Sequence, residues 1–328
     1  MTEFLYHYGL FTAKTATLVI AILVLVGGVA LISAIANKKR TEGQLRVRSL
    51  NHRFQELRSG LEGAVQPKRS WRQRRAARKE QKAALPQKPR DKDRPRVFVL
   101  DFRGDLRASA VDELRTEVSA VKSVAREGDE VVVRLESPGG VVPAYGLAAS
   151  QLKRLRDADI QLTVAVDKVA ASGGYLMACV AHRVLAAPFA IIGSIGVVAE
   201  IPNIHRALKS REIDVEQFTA GEYKRTVTLL GETTEAGRAK LQEELDEVHT
   251  LFKGFVAEHR PDLDVERVAT GEYWYGTRAL DVKLVDELTT SDDYLLTRAE
   301  DCDVFEVHYA TRRRLMRRLR EAARLVWG

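Results

Sequence analysis

The C-terminal two thirds of the chain alternates short apolar, β-branched runs with stretches of helical periodicity. The strand-like runs are residues 97–102, 131–135 and 162–166. Between them, residues 109–126 place apolar side chains at spacings of three and four, and residues 145–155 also have a helical pattern. Such repeats predict an α/β fold in which parallel strands are joined by right-handed crossovers.

Three further segments belong to the same region. Residues 184–198 are apolar but are interrupted by a proline and two glycines, and a membrane span needs roughly 20 residues. Short buried strands and turns are therefore favoured there, with a second membrane span as the alternative. Residues 215–218 are strand-like, and residues 234–259 predict a long amphipathic helix.

A membrane anchor is predicted near the N-terminus. Residues 16–36 form an uncharged run rich in Leu, Ile, Val and Ala, long enough to span the hydrocarbon core. The alternative is a cleavable signal peptide, whose apolar region would be shorter, although residues 33–36 (S-A-I-A) resemble a cleavage site. Lys38, Lys39 and Arg40 follow at once, and the positive-inside rule then places the C-terminal bulk in the cytoplasm.

Positive charge is concentrated outside the predicted folded domain. Of the net charge of +7, residues 37–96 contribute +14 and residues 312–324 contribute +6, so residues 97–311 are acidic. Residues 64–94 have low complexity and predict a solvated, partly helical stalk. Beside a membrane span this stalk suits anionic lipid headgroups, whereas nucleic-acid binding is not supported because no stacking or base-reading module accompanies it.

The cysteine content predicts neither a metal site nor a disulfide framework. The chain has two cysteines, Cys179 and Cys302, whose spacing fits neither arrangement. We expect both to be small buried residues. No cofactor and no metal are predicted.

Two glycine pairs follow predicted strands and are candidates for a catalytic site. Residues 137–140 (S-P-G-G) offer backbone N–H groups with no side chain in the way. Residues 171–174 (A-S-G-G) place the Ser172 hydroxyl at a strand-to-helix turn. Acyl transfer needs such a nucleophile together with N–H donors for the oxyanion. Either turn alone is common in structural roles, but two at successive strand ends favour a catalytic site.

A serine nucleophile needs a base. The seven histidines share no motif, and His182, the nearest in sequence to Ser172, has the pattern of a surface helix end. A lysine can act instead if its pKa falls from about 10.4 towards roughly 7–8, through burial or a neighbouring cation. Lys224, next to Arg225, is the candidate, and Lys168 is the alternative.

Four motifs in one order resemble the signal peptide peptidase A family of serine proteases: S-P-G-G, D-K-V-A-A-S-G-G-Y, G-S-I-G-V and G-E-Y-K-R-T. The resemblance covers residues 95–310 strongly and the N-terminal segment more loosely. It implies a ClpP/crotonase-like fold with repeated β-β-α units, preceded by one N-terminal transmembrane helix. It also implies catalysis by a Ser-Lys dyad.

The resemblance also implies site residues, carried over motif by motif. The nucleophile is Ser172, the general base is Lys224, and Ser194 orients the lysine. The backbone N–H groups of the two glycine turns would form the oxyanion hole; they belong to Gly139, Gly140 and Gly173.

The implied protein is a single-pass protease of the bacterial inner membrane that forms a ring-like or bowl-like homo-oligomer. It would cleave signal peptide remnants or other membrane-associated peptides and proteins. The family is usually drawn with the protease domain outside the cytoplasm, against the positive-inside argument, so the side of the membrane stays open. The predicted boundaries are 1–15 (N-terminal segment), 16–36 (transmembrane helix), 37–95 (basic stalk), 96–310 (protease domain) and 311–328 (basic tail).

Two other functions remain open at this point. A crotonase-like acyl-CoA enzyme would use paired N–H donors for a thioester enolate, although a membrane span and a nucleophilic serine argue against it. A non-catalytic membrane scaffold would use the stalk as its binding element.

Overall fold

The computed structural model describes Lys14, Thr17 and residues 43–65, 94–221 and 223–310. The chain divides into one unit of Val47–His308 and a second of Met1–Arg46 with Tyr309–Gly328. Among the helices described, none has the length and apolar character needed to cross a membrane. The predicted span at 16–36 lies outside the described residues except for Thr17, as do residues 66–93 of the stalk and the tail at 311–328.

The described residues form ten strands and nine helices, numbered here in chain order. The strands are β1 (Gln44–Ser49), β2 (Arg96–Arg103), β3 (Glu130–Glu136), β4 (Gln161–Val166), β5 (Val169–Ala171), β6 (Arg183–Ala186), β7 (Ile191–Gly193), β8 (Tyr273–Tyr275), β9 (Glu287–Leu288) and β10 (Asp303–Ala310). The helices are α1 (Leu50–Val65), α2 (Val111–Val124), α3 (Val142–Arg156), α4 (Gly173–Ala178), α5 (His205–Lys209), α6 (Glu235–His259), α7 (Val265–Val268), α8 (Gly276–Asp281) and α9 (Ser291–Asp301).

A seven-stranded sheet runs in the order β1-β10-β2-β3-β4-β6-β9. From β10 to β9 every neighbouring pair is parallel. Along β2, Phe98, Leu100 and Phe102 pack in the larger core with α2 and α3, while Val97 and Val99 pack in a second core with α1 and α9. Because side chains alternate between the faces of a strand, near-continuous apolar runs are what a sheet covered on both sides requires. The α/β class predicted from the sequence is confirmed.

A smaller sheet carries the site. Its order is β5-β7-β8, with β5 and β7 parallel and β7 and β8 antiparallel. The chain passes from the large sheet to the small one twice, through β4 and β5 before α4, and again through β6 and β7. These successive strand pairs are the repeated β-β-α arrangement that the resemblance implied.

The predicted helices and long strands agree with the structure within a few residues, and residues 184–198 form short strands and turns rather than a membrane span. The strand-like prediction for residues 215–218 is wrong, because this stretch is irregular. Val215 and Phe218 are exposed there, and none of the ten described strands pairs with them. A β-branched run forms a strand only where another strand completes its hydrogen bonds.

The folded unit begins before the predicted domain boundary at residue 96. Residues 43–65, expected in the stalk, form β1 and α1. Leu50 is buried, and the Asn51 amide donates to the carbonyl oxygens of Ala299 and Cys302 and accepts from the Val304 N–H. The net positive charge of residues 37–96 assigned this segment to the stalk. Its contacts with the folded unit come instead from two uncharged side chains, those of Leu50 and Asn51.

Candidate active site

Ser172 occupies a strained turn between β5 and α4. Its backbone has φ 52° and ψ −120°, in the left-handed half of conformational space, which L-residues seldom adopt. Its N–H donates to the Gly193 carbonyl at 2.7 Å, and its own carbonyl accepts from the Leu176 N–H at 3.0 Å. Two flanking elements therefore hold the serine in a conformation of a kind found at the nucleophiles of strand-turn-helix hydrolase sites.

The 137–140 turn lies directly against this serine. Ser137 accepts from Ala171 N–H at 3.0 Å and donates its own N–H to the Val169 carbonyl at 2.8 Å, so the turn runs alongside β5. Gly139 has φ 92°, and a β-carbon built on it would come within 2.7 Å of the Ser172 Cβ. The two glycine turns that the sequence singled out thus meet at one place.

The three predicted oxyanion donors differ in availability. The Gly139 N–H already donates to the Ser137 hydroxyl oxygen at 3.1 Å. Within residues 94–221 and 223–310, the N–H groups of Gly140 and Gly173 have no hydrogen-bond acceptor. The donors left for a ligand at this turn are therefore those of Gly140 and Gly173.

Ser194 lies at the neighbouring strand end. In the β5–β7 pairing, Ala171 is opposite Gly193, so Ser172 and Ser194 are the residues that follow matched positions of two adjacent strands. Ser194 also has a positive φ of 53°, and its N–H donates to the Glu272 carbonyl. The structure brings Ser172, Ser194 and the glycine turn together.

In the described part of the chain, no hydrogen bond joins Lys224 to this group. It is exposed within the largely irregular segment between β7 and α6, where its backbone N–H donates to the Gly221 carbonyl at 3.2 Å. Among the residues that the structure describes, none forms a hydrogen bond or an ion pair with its ammonium. The alternative, Lys168, forms a surface ion pair with Glu136 at 3.1 Å.

His182 lies at the other end of the sheet from the site. Its Nδ1 accepts the N–H of Leu162 at 3.0 Å, at the start of β4, whereas the site lies beyond the C-terminal end of β5. Burial, followed by the charge of Arg156, lowers the pKa of His182 and keeps the ring neutral. The histidine nearest in sequence thus has a local structural role.

An apolar cavity of about 350 Å³ opens beside Ser172. Besides Ser172 and the glycines, it is lined mainly by aliphatic and aromatic side chains, including Tyr145, Leu176, Val248, Leu251, Phe252 and Phe255. The aliphatic and aromatic contribution of α6 was not predicted from the sequence. The 234–259 periodicity indicated an apolar face, but only the packing of α6 beside α4 shows that this face lines the site.

Cys179 and Cys302 are both free and buried, as predicted. Burial raises the pKa of the Cys179 thiol to about 12, so it stays protonated and unreactive at neutral pH. Neither thiol competes with Ser172 as a nucleophile.

Comparisons with known proteins place the chain in a family. The family model described as Peptidase family S49 N-terminal matches residues 3–152, and that described as Peptidase family S49 matches residues 154–304. A Haemophilus influenzae protein named Probable protease SohB is 46% identical over 97% of this chain and 92% of its own length. A Buchnera aphidicola protein of the same name, from subspecies Schlechtendalia chinensis, is 42% identical over 90% of this chain and 100% of its own.

Among solved structures, the 1510-N membrane protease specific for a stomatin homolog from Pyrococcus horikoshii matches 62% of this chain and 78% of that chain. The identity is 13% and the TM-score is 0.37. The resemblance first drawn from four motifs is confirmed by the family models and by the SohB relatives. At the level of enzyme class, these findings favour the protease over the acyl-CoA enzyme and the scaffold. Since the two family models together match most of its length, the chain belongs to peptidase family S49 and is a serine-type peptidase.

Proposed function

We propose that the protein is a membrane-anchored serine endopeptidase that works through a Ser-Lys dyad. Lys224 takes the proton of the Ser172 hydroxyl, and the serine oxygen attacks the substrate carbonyl. The N–H groups of Gly140 and Gly173 stabilise the oxyanion. The lysine returns the proton to the leaving amine, and water then hydrolyses the acyl-enzyme. Ser194, at the neighbouring strand end, orients the lysine.

The observation that carries this proposal is the meeting of three features at one turn. Ser172 is held at a positive φ, two N–H groups that have no acceptor among the described residues lie beside it, and an apolar cavity opens next to it. A nucleophile, oxyanion donors and a side-chain pocket are what an acyl-transfer site requires. The cavity suits an apolar side chain next to the scissile bond, as in peptides derived from membrane segments.

The proposal requires the segment between β7 and α6 to carry Lys224 towards Ser172. This segment exposes several large apolar side chains, including Val198 and Phe218, and such surfaces are usually covered by a partner. We propose that a ring-like or bowl-like homo-oligomer covers them and completes the site. Residues 16–36 would anchor the chain in the bacterial inner membrane, and the basic stretches would contact lipid headgroups.

The test uses the full chain in washed membranes, an apolar fluorogenic peptide and a fluorophosphonate probe. Wild type is expected to cleave the peptide and to be labelled in the membrane fraction. Ser172→Ala removes the nucleophile and Lys224→Arg keeps the charge but cannot act as a base, so each should lower kcat by at least about 10⁴-fold.

Lys168→Arg is the matched control, because it makes the same change at the alternative lysine, and it should retain wild-type activity. If Lys224→Arg kept full peptidase activity and Lys168→Arg lost it, Lys168 would be the general base instead of Lys224. Retained cleavage and labelling in Ser172→Ala would refute the serine assignment itself.

A further inference from the structure

A continuous chain of three hydrogen bonds lies behind the glycine turn; two of them are buried and the third, to the carbonyl of the exposed Asp105, is partly buried. The Gly139 N–H donates to the Ser137 hydroxyl oxygen at 3.1 Å. The hydroxyl oxygens of Ser137 and Tyr145 are 2.6 Å apart, and the Tyr145 hydroxyl donates to the Asp105 carbonyl at 2.9 Å. The side chains of Ser137 and Tyr145 are inaccessible to solvent, each residue having 0% exposure.

The direction of each bond follows from the number of protons available. Tyr145 has one hydroxyl proton and gives it to Asp105, so Ser137 must donate its own proton to the Tyr145 oxygen. The Ser137 oxygen then accepts from Gly139. In such a chain each hydroxyl is both donor and acceptor, and the bonds polarise and strengthen one another. Burial raises the pKa of Tyr145, so the donating proton is present at neutral pH.

The ring of the same tyrosine supports the other half of the site. A β-carbon on Gly173 would lie 2.4 Å from the Tyr145 Cγ, so the ring packs directly against the backbone of this donor. Gly104 leaves the space for the hydroxyl pair, since a β-carbon there would lie 2.3 Å from both hydroxyl oxygens. One side chain therefore contacts the Gly173 backbone with its ring and braces the 137–140 turn with its hydroxyl.

The 104–109 loop, whose Asp105 carbonyl accepts the Tyr145 proton, also packs against the backbone of Gly140, the second donor. The Leu106 carbonyl accepts the Val141 N–H at 2.9 Å, and a β-carbon on Gly140 would lie 2.2 Å from that carbonyl oxygen. The position of Gly140 is thus fixed between the 104–109 loop and the braced turn.

We propose that Tyr145 is a positioning residue that sets the relative placement of the Gly140 and Gly173 N–H groups for the oxyanion. This proposal rests on the proposed function of Ser172. The ring fixes Gly173, and the relay through Ser137 fixes the turn that bears Gly140. Removing the tyrosine hydroxyl leaves the cavity and the nucleophile in place but loosens one donor relative to the other.

The test compares Tyr145→Phe and Ser137→Ala in the full chain. Each should lower kcat for an apolar peptide by about 10- to 100-fold, below the loss for deleting a donor outright, with KM changed less than about twofold. A peptide aldehyde, whose adduct with Ser172 carries the oxyanion, should bind about 10-fold more weakly to both variants. The corresponding peptide alcohol, which forms no adduct, should bind as it does to wild type. Because the two side chains act in one relay, the double variant should lose little more than either single one.

Tyr175→Phe is the matched control. Tyr175 is equally buried and donates to the Leu284 carbonyl at 3.0 Å, away from the glycine turn. It should lower the melting temperature about as much as Tyr145→Phe while keeping wild-type kcat and aldehyde affinity.

If Tyr145→Phe also keeps wild-type kcat and wild-type aldehyde affinity while Ser172→Ala is inactive, the positioning role of Tyr145 is refuted and the serine assignment stands. If Tyr145→Phe and Tyr175→Phe instead lost kcat, aldehyde affinity and alcohol affinity to the same extent, that result would show a general structural effect. It would also refute the positioning role. Retained activity of Ser172→Ala would instead refute the proposed function.

Discussion

At the level of single residues, two of the six non-glycine residues with positive φ in the described part of the chain are the serines of the candidate site. Ser172 and Ser194 have φ values of 52° and 53°, and Gly139, which lies against Ser172, has φ 92°. Each non-glycine residue in such a region costs about 1–3 kcal/mol, which the surrounding hydrogen bonds must offset. This geometry places both serines at strand ends, where each residue is half-buried.

Gly139→Ala tests how closely the turn and the nucleophile are matched. The added methyl group would lie 2.7 Å from the Ser172 Cβ and 2.9 Å from the Gly173 nitrogen. We expect peptidase activity to fall by about 100-fold or more, as for a lost oxyanion donor. Gly128→Ala is the control, since Gly128 has φ 84° but no atom of the described residues within 4 Å of a β-carbon. Both should lose about 1–2 kcal/mol of stability for the left-handed conformation. Equal activity of the two variants would contradict the close approach.

The sequence could predict those residues of the candidate site that belong to a recognisable local pattern. Glycines and a serine after apolar strands indicate a turn with free N–H groups, and Ser172, Gly140 and Gly173 are found at such a turn. The link between Ser137 and Tyr145 could not be predicted, because the two hydroxyls face each other only once α3 packs beside the turn. A buried tyrosine on a helix has the same sequence pattern as an ordinary core residue.

At the level of elements, the predictable parts are those with several periods of a repeating pattern. Helices α2, α3 and α6 extend over 14, 15 and 25 residues, and their apolar spacing is visible in the sequence. Strands β5, β7 and β8 have three residues each, too few to establish an alternation. They form because they pair with one another, which is long-range information that a single sequence does not display.

A buried carboxylate joins two strands of the large sheet to helix α9. Glu130 on β3 is 3% exposed and accepts from Thr163 on β4 and from Tyr294 and Arg298 on α9. Burial, followed by the hydrogen bond to Glu130, raises the pKa of Tyr294 to about 12. The tyrosine therefore keeps its proton in the folded protein at pH values where the unfolded chain has lost it.

Tyr294→Phe should change how stability depends on alkaline pH. The folded pKa is about 12 and the unfolded value is about 10. Between these values the folded state binds more protons, so this contribution is complete below pH 10 and is lost as the pH rises to 12. The variant should lose about 1–2 kcal/mol at pH 8, from the missing hydrogen bond, and should show a flatter decline above pH 10. Denaturant unfolding at pH 8 to 12 measures both the stability at pH 8 and its decline above pH 10. Tyr273→Phe is the control, because Tyr273 is exposed. An unchanged alkaline slope would contradict the proposed linkage.

At the level of the whole molecule, apolar exposure is concentrated in one segment of the Val47–His308 unit. Between β7 and α6, Val198 is 88% exposed and Phe218 is 89% exposed, and Ile213 and Leu229 are also exposed. The segment contains Lys224, the proposed base. Under the function proposed above, this apolar surface would be buried in the proposed homo-oligomer, and its burial would bring Lys224 to Ser172.

Phe218→Glu should therefore weaken assembly and activity together. Removing a large apolar contact from an interface and placing a charge there costs roughly 2 kcal/mol or more, about 30-fold in the dissociation constant. We expect the full chain in detergent to sediment as an oligomer, and the variant to dissociate at protein concentrations where wild type stays assembled. Its specific activity should fall with the oligomer fraction and recover at high concentration. Leu296→Glu, an exposed apolar position on α9, is the control and should change neither property. A wild-type monomer with full activity would show that the dyad forms within one chain, and that Lys224 reaches Ser172 by movement of its own segment alone.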